Sequence, residues 1–162
     1  MSVGVAVVGY GYWGVNLARN VSVSPTTHLV GVVDSGTDRR DLAGVNHPGC
    51  ELWESLDDAL SDDRVEAVVL ATPASTHVEL ALQTLERGRD ILVEKPLAET
   101  GADAAKLNDV AADNGRILMV GHTFLYSPSV LALKELVDDG DLGAVQYLYS
   151  QRLSLGRIRR DC

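Results

Sequence analysis

The sequence predicts an α/β fold with a doubly wound parallel sheet, followed by the first strand of a truncated second α/β domain. Short apolar segments rich in Val alternate with segments of helical spacing from the N-terminus to about residue 121. Apolar residues make up 46% of the 162 residues, yet there are only one Phe, two Trp and five Tyr. A core of Val, Leu and Ala suits a parallel sheet covered by helices on its faces.

A glycine-rich turn joins the first predicted strand to the first predicted helix. The apolar run Val3–Val8 is typical of a buried strand, and helical spacing extends over Trp13–Val23. Gly9 allows a sharp turn, Gly11 lets the backbone approach a pyrophosphate, and Gly14 lets the helix pack against the strand. This strand, Gly-x-Gly-x-x-Gly turn and helix together predict a Rossmann dinucleotide site.

The residues that open this helix, and the end of the next strand, complete the predicted cofactor site. Backbone N–H groups from Tyr12 through Trp13 to Val15 lack partners within the helix and would face phosphates. The second predicted strand, His28–Asp34, ends in an acidic residue twenty positions after Gly14, where a ribose hydroxyl would be bound. Alternatively, Asp34 only ends a strand or caps a helix in a Rossmann-like domain that binds no nucleotide. Ser35 and Arg39 follow Asp34 and are included in the site.

The remaining elements continue the alternation of helix and strand. The further predicted strands are Cys50–Trp53, Val65–Ala71, Asp90–Glu94 and Ile117–Gly121. The predicted helices are Thr37–Ala43, Ser55–Leu60, Ser75–Gly88 and Thr100–Asn114. Ser55 and Ser75 are expected to be N-caps, and Gly88 suits the position that ends a helix.

The pattern changes after residue 121. Residues 1–121 form the predicted dinucleotide-binding domain, 122–143 a connecting loop and helix, and 144–162 the start of a second domain. Pro128 suits the first position of a helix that runs to Asp138. Val145–Leu153 alternates apolar and polar side chains, which predicts a strand of an antiparallel sheet. We expect this strand to pair with another copy of the chain or to pack irregularly, because its neighbours are missing.

Chemistry-bearing residues follow three of the predicted strands, at the edge where open α/β sheets bind ligands. Lys95 could transfer a proton or hold a substrate hydroxyl, with Glu94 fixing its position. The alternative is a Glu94–Lys95 ion pair that closes the strand end. The other candidates at this edge are Ala71, Thr72, Pro73, His77, His122 and Tyr126. For His77 the alternative is a capping or packing role, and for Tyr126 it is packing in the core.

Composition excludes several classes of function. The net charge of −9 argues against a nucleic-acid-binding surface. The last twelve residues carry four Arg and one Asp; Arg152 and its neighbours favour an anionic small ligand or a missing partner domain. Cys50 and Cys162 have neither metal-ligand spacing nor a disulfide framework, so no metal is expected. Met1 leads directly into the first strand, and no apolar run reaches the ~18 residues of a membrane span, which predicts a cytoplasmic protein.

Three segments resemble the Gfo/Idh/MocA oxidoreductases, a family named from glucose–fructose oxidoreductase, inositol dehydrogenase and a rhizopine-catabolism protein. They are Gly9–Gly14, Ala71–His77 and Val93–Ala98, and the likeness covers nearly the whole chain. The resemblance implies oxidation or reduction of sugars, cyclitols or nucleotide sugars with NAD or NADP. It also implies that Lys95 contacts the substrate near the reacting carbon, while Glu94 and the turn after the fourth strand touch the cofactor.

Residues 120–126 and 150–153 are similar to the nucleotide-sugar branch, which makes His122, Tyr126 and Arg152 substrate candidates. Family members continue into a second domain that carries oligomer contacts and a catalytic His, so we expect homo-oligomers, and cofactor binding without turnover by this chain alone. NAD should be preferred over NADP because the Asp34 carboxylate would repel a phosphate. The rival interpretations are a non-catalytic dinucleotide sensor or partner-dependent subunit, and a methyltransferase, which Glu94-Lys95-Pro96 disfavours.

Overall fold

The structure is a computed structural model that describes residues 2–151 and residue 153. The chain divides into two compact units, with the boundary between Gly121 and His122. The first unit contains the sheet, and the second contains a short 3-10 helix and one α-helix. None of the helices in the described residues is long and apolar enough to cross a membrane.

The first unit is built on a six-stranded parallel sheet, as the sequence predicts. Its strands are Val3–Val8 (β1), Thr27–Val33 (β2), Glu51–Trp53 (β3), Ala67–Leu70 (β4), Asp90–Val93 (β5) and Leu118–Val120 (β6). They lie side by side in the order β3-β2-β1-β4-β5-β6. The order reverses direction between β1 and β4, and this switch point leaves a crevice at the carboxyl ends of the strands.

The helices connect the strands. They are Gly14–Val23 (α1), Thr37–Asn46 (α2), Leu56–Leu60 (α3), His77–Glu86 (α4) and Gly101–Asp113 (α5), with Pro128–Asp138 (α6) in the second unit. Ser55 caps α3 by accepting from the Asp58 N–H, and Thr100 caps α5 in the same way. The Ser55 cap is a confirmed prediction.

The core lies on both faces of the sheet. Alternate residues of β1 point to opposite faces, so Val5 and Val7 share one buried cluster with Ala18 of α1. Ala6 and Val8 belong to the other cluster, which contains buried residues of α3, α4 and α5. Helices therefore cover both faces, which confirms the predicted doubly wound architecture.

The start of α4 differs from the prediction. Ser75 does not cap the helix, because Ala74–Thr76 forms a turn of 3-10 helix and α4 begins only at His77. The Thr76 hydroxyl accounts for the difference: it donates to the carbonyl of Pro73 at 2.8 Å and lies 2.8 Å from the hydroxyl of Thr72. These bonds hold the chain in a tight turn for one more residue.

The second unit, taken by itself, confirms one prediction and corrects two. The helix α6 begins at Pro128 and ends at Asp138, as predicted. The expected loop after His122 is a 3-10 helix, Thr123–Tyr126, closed by a bond from the Leu125 N–H to the His122 carbonyl. The strand predicted over 145–153 is wrong for the described residues 145–151 and 153, which have no regular structure. A strand needs a neighbour for its backbone groups, and the described residues supply none here.

Candidate functional site

The loops that follow the central strands are held level with one another by backbone hydrogen bonds. In each case the first residue after a strand donates its N–H to the last carbonyl of the neighbouring strand. The pairs are Gly9 to Val33 at 2.8 Å, Ala71 to Val8 at 2.8 Å, Asp34 to Trp53 at 3.1 Å and Glu94 to Leu70 at 3.0 Å. The sheet therefore brings these predicted site residues to one edge.

The three glycines of the turn after β1 have different surroundings. Gly9 has φ of +90°, and a Cβ there would lie 2.8 Å from the Ala71 carbonyl oxygen. A Cβ on Gly14 would lie 1.8 Å from the carbonyl oxygen of Gly9. A Cβ on Gly11 would meet only the Arg39 guanidinium, at 3.7 Å. Gly9 and Gly14 are thus required by the fold, whereas Gly11 faces open space beside the crevice.

The turn presents unpaired backbone donors. Among the described residues, no acceptor is bonded to the N–H groups of Gly11, Tyr12, Trp13 or Gly14. Together with the positive end of the α1 dipole, these donors form a cradle for an anion. Such a cradle fits the pyrophosphate of a dinucleotide.

Asp34 is buried behind this turn, with only 7% of its surface exposed. Its carboxylate accepts the Tyr10 N–H at 2.7 Å and the Gly36 N–H at 2.8 Å. Arg39 lies 3.6 Å from one carboxylate oxygen. A carboxylate offers about four acceptor positions, so Asp34 keeps capacity for the hydroxyls of a ribose.

Arg40 has a different function from Arg39. Its guanidinium donates to the backbone carbonyl of Asp34 at 2.6 Å and pairs with Glu54 at 3.7 Å. Its side chain is only 17% exposed, against 60% for Arg39. Arg40 therefore holds the end of β2 in place. Of the two arginines, Arg39 is the one whose guanidinium is open to a ligand.

A cleft of about 430 Å³ lies at this edge, within the range of small-molecule sites. The predicted site residues that line it are Gly9, Gly11, Asp34, Ser35, Arg39, Ala71, Thr72 and Pro73. Eight further lining residues were not predicted from the sequence: Val8, Val33, Glu54, Ser55, Leu56, Asp57, Leu80 and Gln83. The run 54–57 follows β3 at the same edge, so strand order was a signal that could have identified it.

Glu94 and Lys95 lie next to the cleft rather than on its wall. The Trp13 indole N–H donates to one Glu94 oxygen, and the Lys95 backbone N–H donates to the other at 3.3 Å. Gly121 makes room for this carboxylate, since a Cβ there would lie 3.1 Å from it. Within the described chain, the Lys95 ammonium has no hydrogen-bond or ion-pair partner. The alternative of a Glu94–Lys95 ion pair is therefore not observed, and the amine is free to meet a ligand.

His77 does not line the cleft. Its side chain is 1% exposed, with Nδ1 2.7 Å from the Pro96 carbonyl oxygen and Nε2 3.0 Å from that of Thr72. The Lys95–Pro96 peptide bond is cis. Of the two interpretations of His77 that the sequence leaves open, the buried geometry favours the packing one.

The remaining candidates lie outside the first unit. His122 and Tyr126 are exposed residues of the second unit, and Arg152 lies outside the described residues. Their contact with substrate stays a prediction. Tyr126 is 65% exposed, so core packing within its own unit does not explain it.

A second cleft lies at the amino-terminal edge of the sheet, beside the start of β2 and β3. It is lined in part by His28, His47 and Cys50. Burial lowers the pKa of His47 and raises the pKa of the Cys50 thiol, so both groups are mainly neutral near pH 7. No group of three metal-binding side chains is found among the described residues.

Comparison with known proteins agrees with this geometry. The model of an oxidoreductase family with an NAD-binding Rossmann fold, designated GFO_IDH_MocA, matches residues 3–122. Inositol 2-dehydrogenase of Rubrobacter xylanophilus is 39% identical over 145 residues, covering 88% of this chain and 41% of the relative. The 2,7-anhydro-N-acetylneuraminate hydratase of Mediterraneibacter gnavus is 32% identical over 151 residues, covering 93% and 40%.

A solved structure is similar over the same region. The crystal structure of GenD2, from gentamicin A biosynthesis, in complex with NAD, has a TM-score of 0.82 and 37% identity. The match covers 86% of this chain and 40% of that one. The chain thus spans about 40% of the length of these relatives.

Proposed function

Because the chain belongs to the Gfo/Idh/MocA family of oxidoreductases, we propose that it is the cofactor-binding part of a dehydrogenase. The reaction would transfer a hydride between the nicotinamide of NAD and a carbon of a sugar, cyclitol or nucleotide sugar. The observation that carries the proposal is the common edge of the sheet. It joins an anion cradle, a carboxylate with spare acceptor capacity and a free lysine.

The residues present fit an adenine dinucleotide. The unpaired N–H groups of residues 11–14 would hold the pyrophosphate, and Asp34 would accept from the ribose. The cleft walls beyond Asp34, formed by Leu56 and Leu80 among others, offer apolar surface for a base. The cofactor, when bound, supplies hydride chemistry. The protein supplies position and a group for the proton.

Lys95 is the residue we assign to proton transfer or to holding the substrate hydroxyl. Its ammonium is exposed and unpaired within the described chain, and its backbone is fixed by Glu94. A cation beside the reacting carbon stabilises an alkoxide that forms when a hydroxyl loses its proton. Glu94 accepts the indole N–H of Trp13, and this joined pair would contact the cofactor at the end where Lys95 lies.

The direct test is equilibrium titration of the purified chain with NADH and, separately, with S-adenosylmethionine, the cofactor of the rival methyltransferase interpretation. We expect saturable binding of NADH and none of S-adenosylmethionine. Turnover is then assayed with myo-inositol and with a nucleotide sugar by the appearance of NADH, and we expect none from this chain alone. Binding of S-adenosylmethionine in place of NADH would overturn the proposal in favour of a methyltransferase.

Cofactor choice gives a separate prediction. The buried Asp34 carboxylate would face the 2′-phosphate of NADP, and Arg39 offsets this repulsion only in part because it is largely exposed. We expect NAD to bind at least about tenfold more tightly than NADP, or ~1.4 kcal/mol. Competitive titration of both cofactors measures the ratio.

Substitution of Asp34 tests the cause of that preference. Asp34→Asn removes the charge but keeps a side-chain oxygen at the same distance from the backbone, which can accept the Tyr10 N–H. NAD affinity should fall and NADP affinity should rise, so that the ratio narrows or reverses. An unchanged ratio in a folded variant would mean that another residue sets the choice. Arg39→Gln is the matched variant, and it should weaken NADP more than NAD.

A further inference from the structure

His77 stands apart from the other buried polar side chains. Within the described residues, the buried polar side chains are Asp34, His77 and Thr84. The Thr84 hydroxyl donates to Leu80 within its own helix, at 2.7 Å. Asp34 receives backbone donors beside the glycine turn. His77 has its partners on two separate loops, and unlike Asp34 it is not used by the proposed chemistry.

Those partners are two backbone carbonyls. Thr72 O belongs to the loop after β4, and Pro96 O belongs to the loop after β5. The two strands are neighbours in the sheet. The imidazole therefore fills the space beneath both loops and fixes the distance between them.

Each loop leads directly to a group of the proposed site. The methyl group of Thr72 lies 3.0 Å from where a Cβ on Gly9 would be, so this loop packs against the glycine turn. Pro96 follows Lys95 in the chain, so its carbonyl sets the course of the segment that carries the lysine. A shift at His77 would move the glycine turn relative to Lys95.

Both partners of the imidazole are hydrogen-bond acceptors, so only the ring can donate in these contacts. A carbonyl only accepts, and a neutral imidazole carries one N–H, whereas an imidazolium carries two. In either form the ring donates at least one hydrogen bond to a loop carbonyl. Loss of the ring nitrogens would leave both part-buried carbonyls facing an apolar ring without a donor, at the cost of the lost hydrogen bonds.

We propose that His77 is a positioning residue that holds the Lys95-Pro96 segment in register with the Thr72-Pro73 turn. The value of this register for cofactor binding rests on the proposed function. The two hydrogen-bond contacts of His77 do not depend on that proposal. The ring is buried, does not line the cleft and acts through the two loops.

The variant that tests this is His77→Phe in the full 162-residue chain. Phenylalanine keeps a buried aromatic ring but has no donor for either carbonyl. We expect NADH affinity to fall about tenfold, and the Thr72 methyl and Lys95 amide resonances to shift in NMR spectra of the cofactor-free protein. Leu85→Ala is the matched control, because Leu85 is fully buried in the same helix. It should lower the melting temperature but leave NADH affinity and both resonances unchanged.

The outcomes separate this inference from the proposed function. If the wild-type chain fails to bind NADH, the proposed function fails, yet the two resonances still decide the role of His77. If His77→Phe keeps wild-type affinity and both resonances, the inference is overturned. If His77→Phe does not fold, the wild-type ring decides: its N–H should exchange with solvent far more slowly than those of the exposed His28 and His122. Equal exchange rates would overturn the inference.

Discussion

Gly11→Val should abolish dinucleotide binding while leaving the fold intact. An added Cβ at Gly11 meets no backbone atom, only the end of the flexible Arg39 side chain at 3.7 Å, and Gly11 has no positive φ. The branched side chain would instead occupy the space over the unpaired N–H groups, where a pyrophosphate must approach. We expect NADH affinity to fall by at least about 100-fold, or ~2.7 kcal/mol. Fluorescence titration measures the affinity, and thermal unfolding measures the stability.

Gly14→Ala is the matched control for this prediction. Its Cβ would lie 1.8 Å from the Gly9 carbonyl oxygen, so the backbone of the turn has to move. We expect a stability loss of about 1–3 kcal/mol or more, as is typical of overpacking. The two glycines therefore separate binding from folding. Wild-type NADH affinity in a folded Gly11→Val variant would mean that the glycine turn has only a structural function.

The features that could be predicted from the sequence are those encoded locally. The Val-rich strands, the glycine turn and the Ser55 cap depend on residues close together in the chain, and each was found where it was expected. Parallel strand order then places the strand ends at one edge with no further information. This is why Asp34, Thr72 and Lys95 could be expected near one another before their positions were known.

The features that could not be predicted depend on contacts between distant residues. Trp13 and Glu94 are 81 residues apart, and nothing in either segment indicates that the indole donates to that carboxylate. A His at the start of an amphipathic helix is equally compatible with a ligand contact and with burial. Only the carbonyls of Thr72 and Pro96, contributed by two loops, distinguish these for His77.

The strand expected after residue 144 shows a different limit. Alternating apolar and polar side chains indicate which face of a strand would be buried, but they do not provide a partner for its backbone. Tyr147 and Tyr149, on the predicted apolar face, are 86% and 75% exposed. The alternating pattern therefore indicates a preference for strand, but the strand forms only where a neighbouring segment pairs with its backbone groups.

Lys95→Met should remove turnover while leaving cofactor binding nearly unchanged. Methionine has a similar length and no charge, and Lys95 makes no side-chain bond within the described residues that the fold would lose. General acid–base groups typically contribute about 10²- to 10⁴-fold to rate, and we expect a loss of kcat in that range. Because the chain spans about 40% of the length of its relatives and is expected to bind cofactor without turnover on its own, kcat should be measured on the longest protein that contains it, and NADH affinity on this chain.

Lys95→Arg then distinguishes the two roles open to this lysine. Arginine keeps the positive charge, but its guanidinium does not give up a proton in proteins. If Lys95 only holds a substrate hydroxyl by its charge, Lys95→Arg should recover much of the rate that Lys95→Met loses. If Lys95 transfers the proton, both variants should be impaired to a similar extent, with NADH affinity within a few-fold of wild type in each. Wild-type turnover in Lys95→Met would remove the lysine from the mechanism, and the proton would have to leave through another group.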